Sequence, residues 1–249
     1  MTGLVRKATL FAACGLLMAG AAFASVPSPG NSDIGCGINL VAHNTAGDAD
    51  CFEVFNVGGK FCVTVRDGNN VPIANSTVII DFANCCNDIV IAQSQPGNAG
   101  CGVGPATVDC LTNTVRALTD MNGNVCFLII GAASASDPTP GNGQASACAR
   151  VFADGTLLGN LQVGAFDLNG GIPGGEGLSG ADLSVWLGDF FDYFGSAIYR
   201  DRSDFDFGEV CNPPNQSISG ADLAVWLGQF FNSFSTGSSA TNGPFCACP

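Results

Sequence analysis

Basic side chains are scarce in this 249-residue chain, which contains 8 lysines and arginines against 21 aspartates and glutamates. Two of them, Arg6 and Lys7, lie in an N-terminal segment that we expect to be cleaved, which leaves a formal net charge of −15. Because nucleic-acid binding depends largely on basic side chains that neutralise phosphates, this composition excludes a nucleic-acid partner. An anionic membrane surface would also repel the chain.

Histidine, tryptophan and tyrosine are rare where an enzyme would need them. The single histidine, His43, lies among polar and glycine residues typical of an exposed loop, where a solvated side chain is more common than a catalytic one. Residues 25–166 contain no tryptophan and no tyrosine, so they lack the aromatic platforms that sugar-binding faces commonly use. No spacing of their aspartates identifies an acid–base pair. We therefore expect a protein that is not an enzyme.

A long apolar run occurs at the N-terminus, from Ala8 to Gly20, directly after Arg6 and Lys7. Ala22-Phe23-Ala24 matches the small-residue pattern that precedes a signal-peptide cleavage site. The sequence thus predicts a signal peptide at 1–24 and a linker at 25–33. No second long apolar segment follows, so we expect no membrane insertion and a protein secreted to the extracellular space or surface of a bacterium.

Cysteine is abundant, with 13 in the chain and an even 12 after signal cleavage. In an exported protein this number predicts disulfides. A zinc site is the alternative suggested by Cys85-Cys86, but the paired spacings that zinc prefers are missing. Nine of the 12 precede residue 167 and three follow it, so complete pairing requires a bridge between the two regions. We expect Cys246 and Cys248 to pin the tail, 235–249, and suggest Cys211 as the partner.

Residues 34–166 are rich in short runs of the β type. Lys60 to Arg66 alternates apolar and polar residues and places Phe61, Val63 and Val65 on one face. Further strands are predicted at 76–82, 89–92, 114–118, 124–130, 147–152 and 157–163. About seven short strands in this length favour a β-sandwich, and therefore a mainly β fold.

Two strings in this region, VTVRDGNNVPIANSTVIIDF and LTDMNGNVCFLI, resemble bacterial immunoglobulin-like surface domains. The resemblance covers about half of the region. It implies a disulfide-rich, immunoglobulin-like antiparallel β-sandwich over residues 34–166.

The C-terminal region contains an internal repeat. SGADLSVWLGDFFDYF (Ser179 to Phe194) returns forty residues later as SGADLAVWLGQFFNSF (Ser219 to Phe234), with 12 of 16 positions identical. Leucine, tryptophan and phenylalanine recur at three- and four-residue steps in each copy, which predicts two amphipathic helices. Because such short helices cannot bury their apolar faces alone, we expect the copies to pack together in pseudo-twofold fashion.

An acidic, glycine-rich element precedes each copy, and together they resemble the dockerin family, whose repeat reads roughly D-x-[ND]-x-D-G-x-[IV]-x-x-x-D-L. The resemblance implies a small all-α, EF-hand-like pair over residues 167–234 that binds two calcium ions. The implied ligand positions are Asp167, Asn169, Gly171 and Asp182 in the first copy and Asp204, Asp206, Gly208 and Asp222 in the second.

Two departures from the dockerin pattern stand in this sequence. Glycine occupies the fifth loop position in both copies, where the family usually has aspartate. The loops are also longer, with 15 positions from Asp167 to Asp182 and 18 from Asp204 to Asp222. Ser179-Gly-Ala-Asp182 and its second copy also fit a helix capping box, which would explain the closing aspartates without a metal. Capping and calcium binding are compatible.

Dockerins are attachment modules, so the resemblance implies a cohesin-like protein partner on a scaffold or cell surface. We therefore predict a secreted, non-catalytic attachment or assembly protein. One alternative is an accessory or catalytic component of a polysaccharide-degrading complex, because dockerins often accompany glycoside hydrolases. The other is a structural surface or matrix protein that self-associates through unpaired cysteines or the aromatic helices.

Overall fold

The computed structural model describes residues 25–42, 59–86, 88–134, 147–170, 177–196, 199–207, 217–236 and 244–247. The predicted signal peptide, 1–24, lies outside these residues. The same holds for five residues named in the predictions above: His43, Gly171, Gly208, Cys211 and Cys248.

Strands dominate the described residues and two helices follow them, which confirms the prediction of a mainly β fold. The strands are β1 (Gly37–Leu40), β2 (Lys60–Thr64), β3 (Thr77–Asp81), β4 (Ile89–Ile91), β5 (Thr107–Asp109), β6 (Thr114–Leu118), β7 (Asn124–Leu128), β8 (Gly131–Ala133), β9 (Ala149–Ala153) and β10 (Thr156–Ala165). The helices are α1 (Gly180–Ser196) and α2 (Gly220–Thr236). Short 3-10 turns lie at Ala83–Cys85, Ala99–Cys101 and Asp201–Ser203.

Six of the strands form one sheet in the order β1-β10-β9-β3-β6-β5. β1 runs parallel to β10, and the other neighbours in this sheet are antiparallel. β2 pairs with β7, and β4 pairs with β8, both antiparallel. The immunoglobulin-like form of this arrangement stays a prediction.

The predicted apolar face of β2 is buried. Phe61, Val63 and Val65 are at most 2% exposed, because alternate side chains of a strand point to the same side. They belong to one hydrophobic cluster that also contains Trp186 of α1 and Trp226 of α2. The strands and both helices therefore share a single core.

Three strands were not predicted from the sequence: β1, β5 and β8. Each has only three or four residues, and none contains a run of β-branched apolar residues such as the one that predicts β4. In β1, Gly37 leaves room for the ring of Phe207, since a Cβ at Gly37 would lie 2.6 Å from that ring. β1 is thus placed by packing more than by its own sequence pattern.

Three disulfides lie within the described residues: Cys62–Cys126, Cys85–Cys148 and Cys110–Cys246. The third joins positions 136 residues apart and confirms that a bridge links the two regions of the chain. Disulfides persist in oxidising compartments, which agrees with an exported protein. Among the helices of the described residues, none has the length and apolar character needed to cross a membrane.

The suggested pairing of Cys246 with Cys211 was wrong, because the tail returns to the β region. The Cys246 amide donates to the Ile91 carbonyl at 2.8 Å, and the Gln93 amide donates to the Pro244 carbonyl at 2.9 Å. These bonds place the tail beside β4 and bring Cys246 to Cys110. Sequence spacing could not show this return.

The predicted boundary between residues 166 and 167 is crossed by several hydrogen bonds. β10 runs directly into Asp167, whose carbonyl accepts from the Ala133 amide at 2.8 Å. The buried side chain of Asn39 donates through Nδ2 to the Phe205 carbonyl at 3.1 Å. The division into two domains stays a prediction, but the two regions are in close contact.

We predict that replacing both cysteines of the tail bridge (Cys110→Ser with Cys246→Ser) lowers the free energy of unfolding by roughly 2–5 kcal/mol. The bridge closes a long loop, so its removal increases the conformational freedom of the unfolded chain. Denaturant unfolding at neutral pH measures the change.

The matched control is Cys62→Ser with Cys126→Ser, which opens a loop of 64 residues and leaves the tail attached. An unchanged midpoint and unchanged tail proteolysis in the first variant would contradict the prediction.

Candidate metal centre

The carboxylate of Asp182 connects the start of α1 to the end of β10. Its Oδ1 accepts from the amides of Leu168 at 2.7 Å and Asn169 at 3.1 Å. Its Oδ2 accepts from the Ser179 amide at 2.7 Å and the Ser179 hydroxyl at 3.0 Å. One buried side chain therefore fixes both ends of the first loop.

The second copy repeats this geometry. Asp222 accepts through Oδ1 from the amides of Phe205 at 2.7 Å and Asp206 at 3.1 Å. Its Oδ2 accepts from the Ser219 amide at 2.7 Å and the Ser219 hydroxyl at 3.1 Å. The corresponding distances agree within 0.1 Å between the copies, so the two loops are closed in the same way.

The predicted capping boxes are confirmed in both helices. The hydroxyl oxygen of each cap serine also accepts a hydrogen bond from a backbone amide of the helix. Ala181 donates to Ser179 at 3.2 Å, and Ala221 donates to Ser219 at 3.1 Å. Amides in the first turn of a helix lack partners within the helix, and a capping box satisfies them. Capping therefore accounts for part of the role of the closing aspartates.

The first aspartate of each loop lies buried beside the closing one. Asp167 is 0% exposed, and its Oδ2 accepts from the Gly177 amide at 2.8 Å. Gly170 faces this carboxylate, and a Cβ at that position would overlap it. In the second copy Asp204 is also 0% exposed, and its Oδ2 accepts from the Tyr199 hydroxyl at 2.6 Å.

Burial leaves these carboxyl groups poorly solvated, and this raises their pKa values. Loss of hydration is the main cause of the increase in the pKa of Asp167, to about 7, with the neighbouring Asp182 contributing. Loss of hydration also raises the pKa of Asp204 to about 8, with contributions from Asp222 and Asp206, while the Tyr199 hydroxyl acts in the opposite direction. Burial thus disfavours the charged form of these carboxyl groups, and a bound cation would favour it.

The second loop fits a calcium ion by its donor chemistry. Carboxylate oxygens of Asp204, Asp206 and Asp222 lie within 4.8 Å of one another. Calcium binds oxygen at about 2.3–2.6 Å, so one ion can touch oxygens separated by up to about 5 Å. The three carboxylates of the second loop are therefore brought together. In the first loop Asp167 and Asp182 are adjacent, and Asn169 contacts Asp182 through its backbone amide.

The two copies also interlock through their tryptophans. Trp186 Nε1 donates to the Ser203 carbonyl at 3.1 Å, one residue before the first aspartate of the second loop. Trp226 Nε1 donates to the Phe166 carbonyl at 2.9 Å, one residue before the first aspartate of the other loop. The tryptophan of each copy therefore contacts the loop of the other copy. The pseudo-twofold packing of the two helices stays a prediction.

A buried ion network at the second loop was missed from the sequence. Asp189 binds Arg202 through two contacts of 2.8 and 2.9 Å and Arg200 at 3.0 Å, and all three side chains are at most 5% exposed. Ser203 also donates its hydroxyl to Asp189 at 2.6 Å. The signal was present in the repeat, because Asp189 stands where the second copy has Gln229, and the added charge needs partners.

No protein-family model matches the chain, and neither the curated proteins nor the solved structures contain a significant match.

We predict that Gly170→Ala moves the Asp167 carboxylate and destabilises the protein by about 1–3 kcal/mol, because the methyl group has no space beside it. Gly188→Ala is the matched control. Gly188 lies within α1, where an added Cβ would meet nothing within 4 Å, so alanine should stabilise the helix by about 1 kcal/mol. Thermal unfolding of both variants measures the difference. Equal stability of the two would show that the first loop does not have this geometry.

In calcium-depleted protein, we predict that stability falls as the pH rises from about 4 to about 8. The folded-state pKa values of Asp167 and Asp204, about 7 and about 8, lie above the ordinary 3.8. The folded protein therefore binds more protons than the unfolded chain in this window, and its unfolding free energy decreases with pH.

Thermal unfolding across this pH range tests the prediction, with Asp204→Asn as the comparison. The asparagine side chain cannot ionise, so the stability of the variant should decrease less with rising pH. Adding calcium to the wild type should also make the decrease in stability smaller. A decrease as steep in Asp204→Asn as in the wild type would contradict the assignment.

Proposed function

We propose that this chain is an exported, non-catalytic attachment protein. Its two repeat copies each bind a calcium ion, and its helices present aromatic side chains to a protein partner on a scaffold or cell surface. The observation that carries the proposal is the duplicated geometry, in which each helix begins at a carboxylate centre and continues into an exposed aromatic face.

Calcium would act structurally in this proposal. The described residues that would hold it are Asp167, Asn169 and Asp182 in the first loop and Asp204, Asp206 and Asp222 in the second. Asp182 and Asp222 each accept four hydrogen bonds, so each would exchange one of these bonds for contact with the ion. The ion would supply positive charge between buried carboxylates and so fix the loops relative to the helix starts. Because the loops precede α1 and α2 directly, ordering them would also set the direction of both helices.

The aromatic residues of the repeat divide into a core set and an exposed set. Trp186 and Trp226 are at most 1% exposed. In contrast, Phe191 and Phe194 of α1 and Phe231 of α2 are 63–67% exposed. Large exposed aromatic side chains are uncommon on a monomer surface and typical of protein interfaces. They support an attachment role for the helices.

A groove of about 570 Å³ between β6 and β7 offers little for catalysis. Asp120 is the one carboxylate among the described residues that line it. Its carboxylate serves the local turn, since Oδ1 accepts from the backbone amides of Asn122 and Asn124 at 2.8 and 2.9 Å. An acid–base mechanism needs a second group, and the described residues that line this groove supply no second carboxylate and no histidine.

We predict that the double substitution Phe191→Ser with Phe194→Ser weakens calcium-dependent binding to a cohesin-type module by at least about tenfold, as expected for loss of central aromatic contacts. Surface plasmon resonance against a panel of immobilised cohesin modules, with and without calcium, measures the effect. Leu111→Ser is the matched control, because Leu111 is 86% exposed and lies in the β region.

Light scattering on the same samples separates the alternatives. A wild type that binds no module but forms calcium-dependent oligomers, lost in the double variant, would favour self-association. A monomer that binds no module with calcium present would contradict the attachment proposal.

A further inference from the structure

We propose that Tyr199 is a positioning residue for the second carboxylate centre, and that it ties Asp204 to strand β10 through Gln162. The inference rests on the calcium binding proposed above. It adds that the β-sheet forms part of the support for the second ion.

A continuous chain of hydrogen bonds connects the sheet to the loop. Gln162 Nε2 donates to the Tyr199 hydroxyl oxygen at 2.7 Å, and the Tyr199 hydroxyl donates to Asp204 Oδ2 at 2.6 Å. Gln162 and Asp204 are both 0% exposed, and Tyr199 between them is half-buried. Tyr199 and Gln162 also hydrogen-bond to the buried carboxyl group of Asp201, so this network holds Asp201 as well as Asp204 against β10.

The position of Gln162 is set by the sheet. It pairs with Gly37 in the parallel β1–β10 ladder, and its backbone amide donates to the Cys36 carbonyl at 3.3 Å. A buried residue held by backbone in this ladder has little freedom to move. Tyr199 is therefore held in place by the sheet, and its hydroxyl holds Asp204.

Other contacts place the same loop on the same two strands. Asn39 of β1 donates to the Phe205 carbonyl at 3.1 Å. Gly164 of β10 has no room for a side chain, since a Cβ there would lie 3.0 Å from the Asp204 carbonyl oxygen and 3.1 Å from the Phe205 ring. The backbone of the second loop lies directly on the sheet, so the hydroxyl bond is one part of a built support.

The hydrogen-bonded pair joins corresponding positions of the two copies. Tyr199 stands five residues before Asp204, and Gln162 stands five residues before Asp167. The Gln162 side-chain amide donates to Tyr199, which in turn donates to the second loop. Loss of the tyrosine hydroxyl should therefore affect the second ion and leave the first nearly unchanged.

The test compares Tyr199→Phe with Tyr193→Phe in the full mature chain. Phenylalanine keeps the ring at position 199, which lies 6.3 Å from the Tyr193 ring, and removes only the hydroxyl. Gln162→Met is a second variant that breaks the chain of bonds at the sheet. Calorimetric titration with calcium, and thermal unfolding with calcium and after its removal, are measured for each protein.

We expect Tyr199→Phe to weaken one of two calcium-binding steps by about tenfold, the usual effect of losing a hydrogen bond to a charged group. Gln162→Met should weaken the same step, and Tyr193→Phe neither step. Calcium should also raise the unfolding temperature of Tyr199→Phe less than that of the wild type. A residue with a purely structural role would lower both unfolding temperatures equally and leave calcium affinity unchanged.

The outcomes separate the two proposals. If the wild type binds two ions and Tyr199→Phe binds both as tightly, the positioning role is overturned and calcium binding stands. If the wild type binds no calcium, the proposed function fails, and the positioning role fails with it.

Discussion

Each half of the repeat depends on one aspartate carboxylate that accepts hydrogen bonds from two separate backbone segments. Asp182 and Asp222 each take two bonds from the serine that caps the helix and two from amides of the preceding loop. A buried carboxylate is stable only where donors replace its lost hydration. The loop, the helix start and the other acidic residues of the loop are therefore fixed together by one side chain.

The repeat and the strands are built as one structure. Trp186 and Trp226 hold the opposite loop in each case, so neither copy completes itself. β10 runs into the first loop, and the sheet supports the second through Asn39. The tail then returns to the β region, where Cys246 is bonded to Cys110. An isolated repeat would lose these contacts, so the proposed calcium binding has to be measured on the full chain.

Local patterns in the sequence predicted the features that depend on neighbouring residues. The helices, their capping boxes and the buried face of β2 follow from spacing alone, because three- and four-residue steps and alternation report one element at a time. The partner of Cys246, the bonds of Asp189 to two arginines and the bond of Tyr199 to Gln162 join segments that the sequence pattern does not connect. Such contacts depend on tertiary packing, and a single sequence carries no periodic signal for them.

We propose that each loop holds one ion between its carboxylates. Anomalous X-ray diffraction from crystals of residues 25–249 grown with calcium tests it most directly. The account predicts two peaks, one beside Asp167 and Asp182 and one among Asp204, Asp206 and Asp222, each within about 2.3–2.6 Å of carboxylate oxygens. Loops that keep the hydrogen bonds described above and show no peak at saturating calcium would contradict it. In that case the aspartates would be helix caps and nothing more.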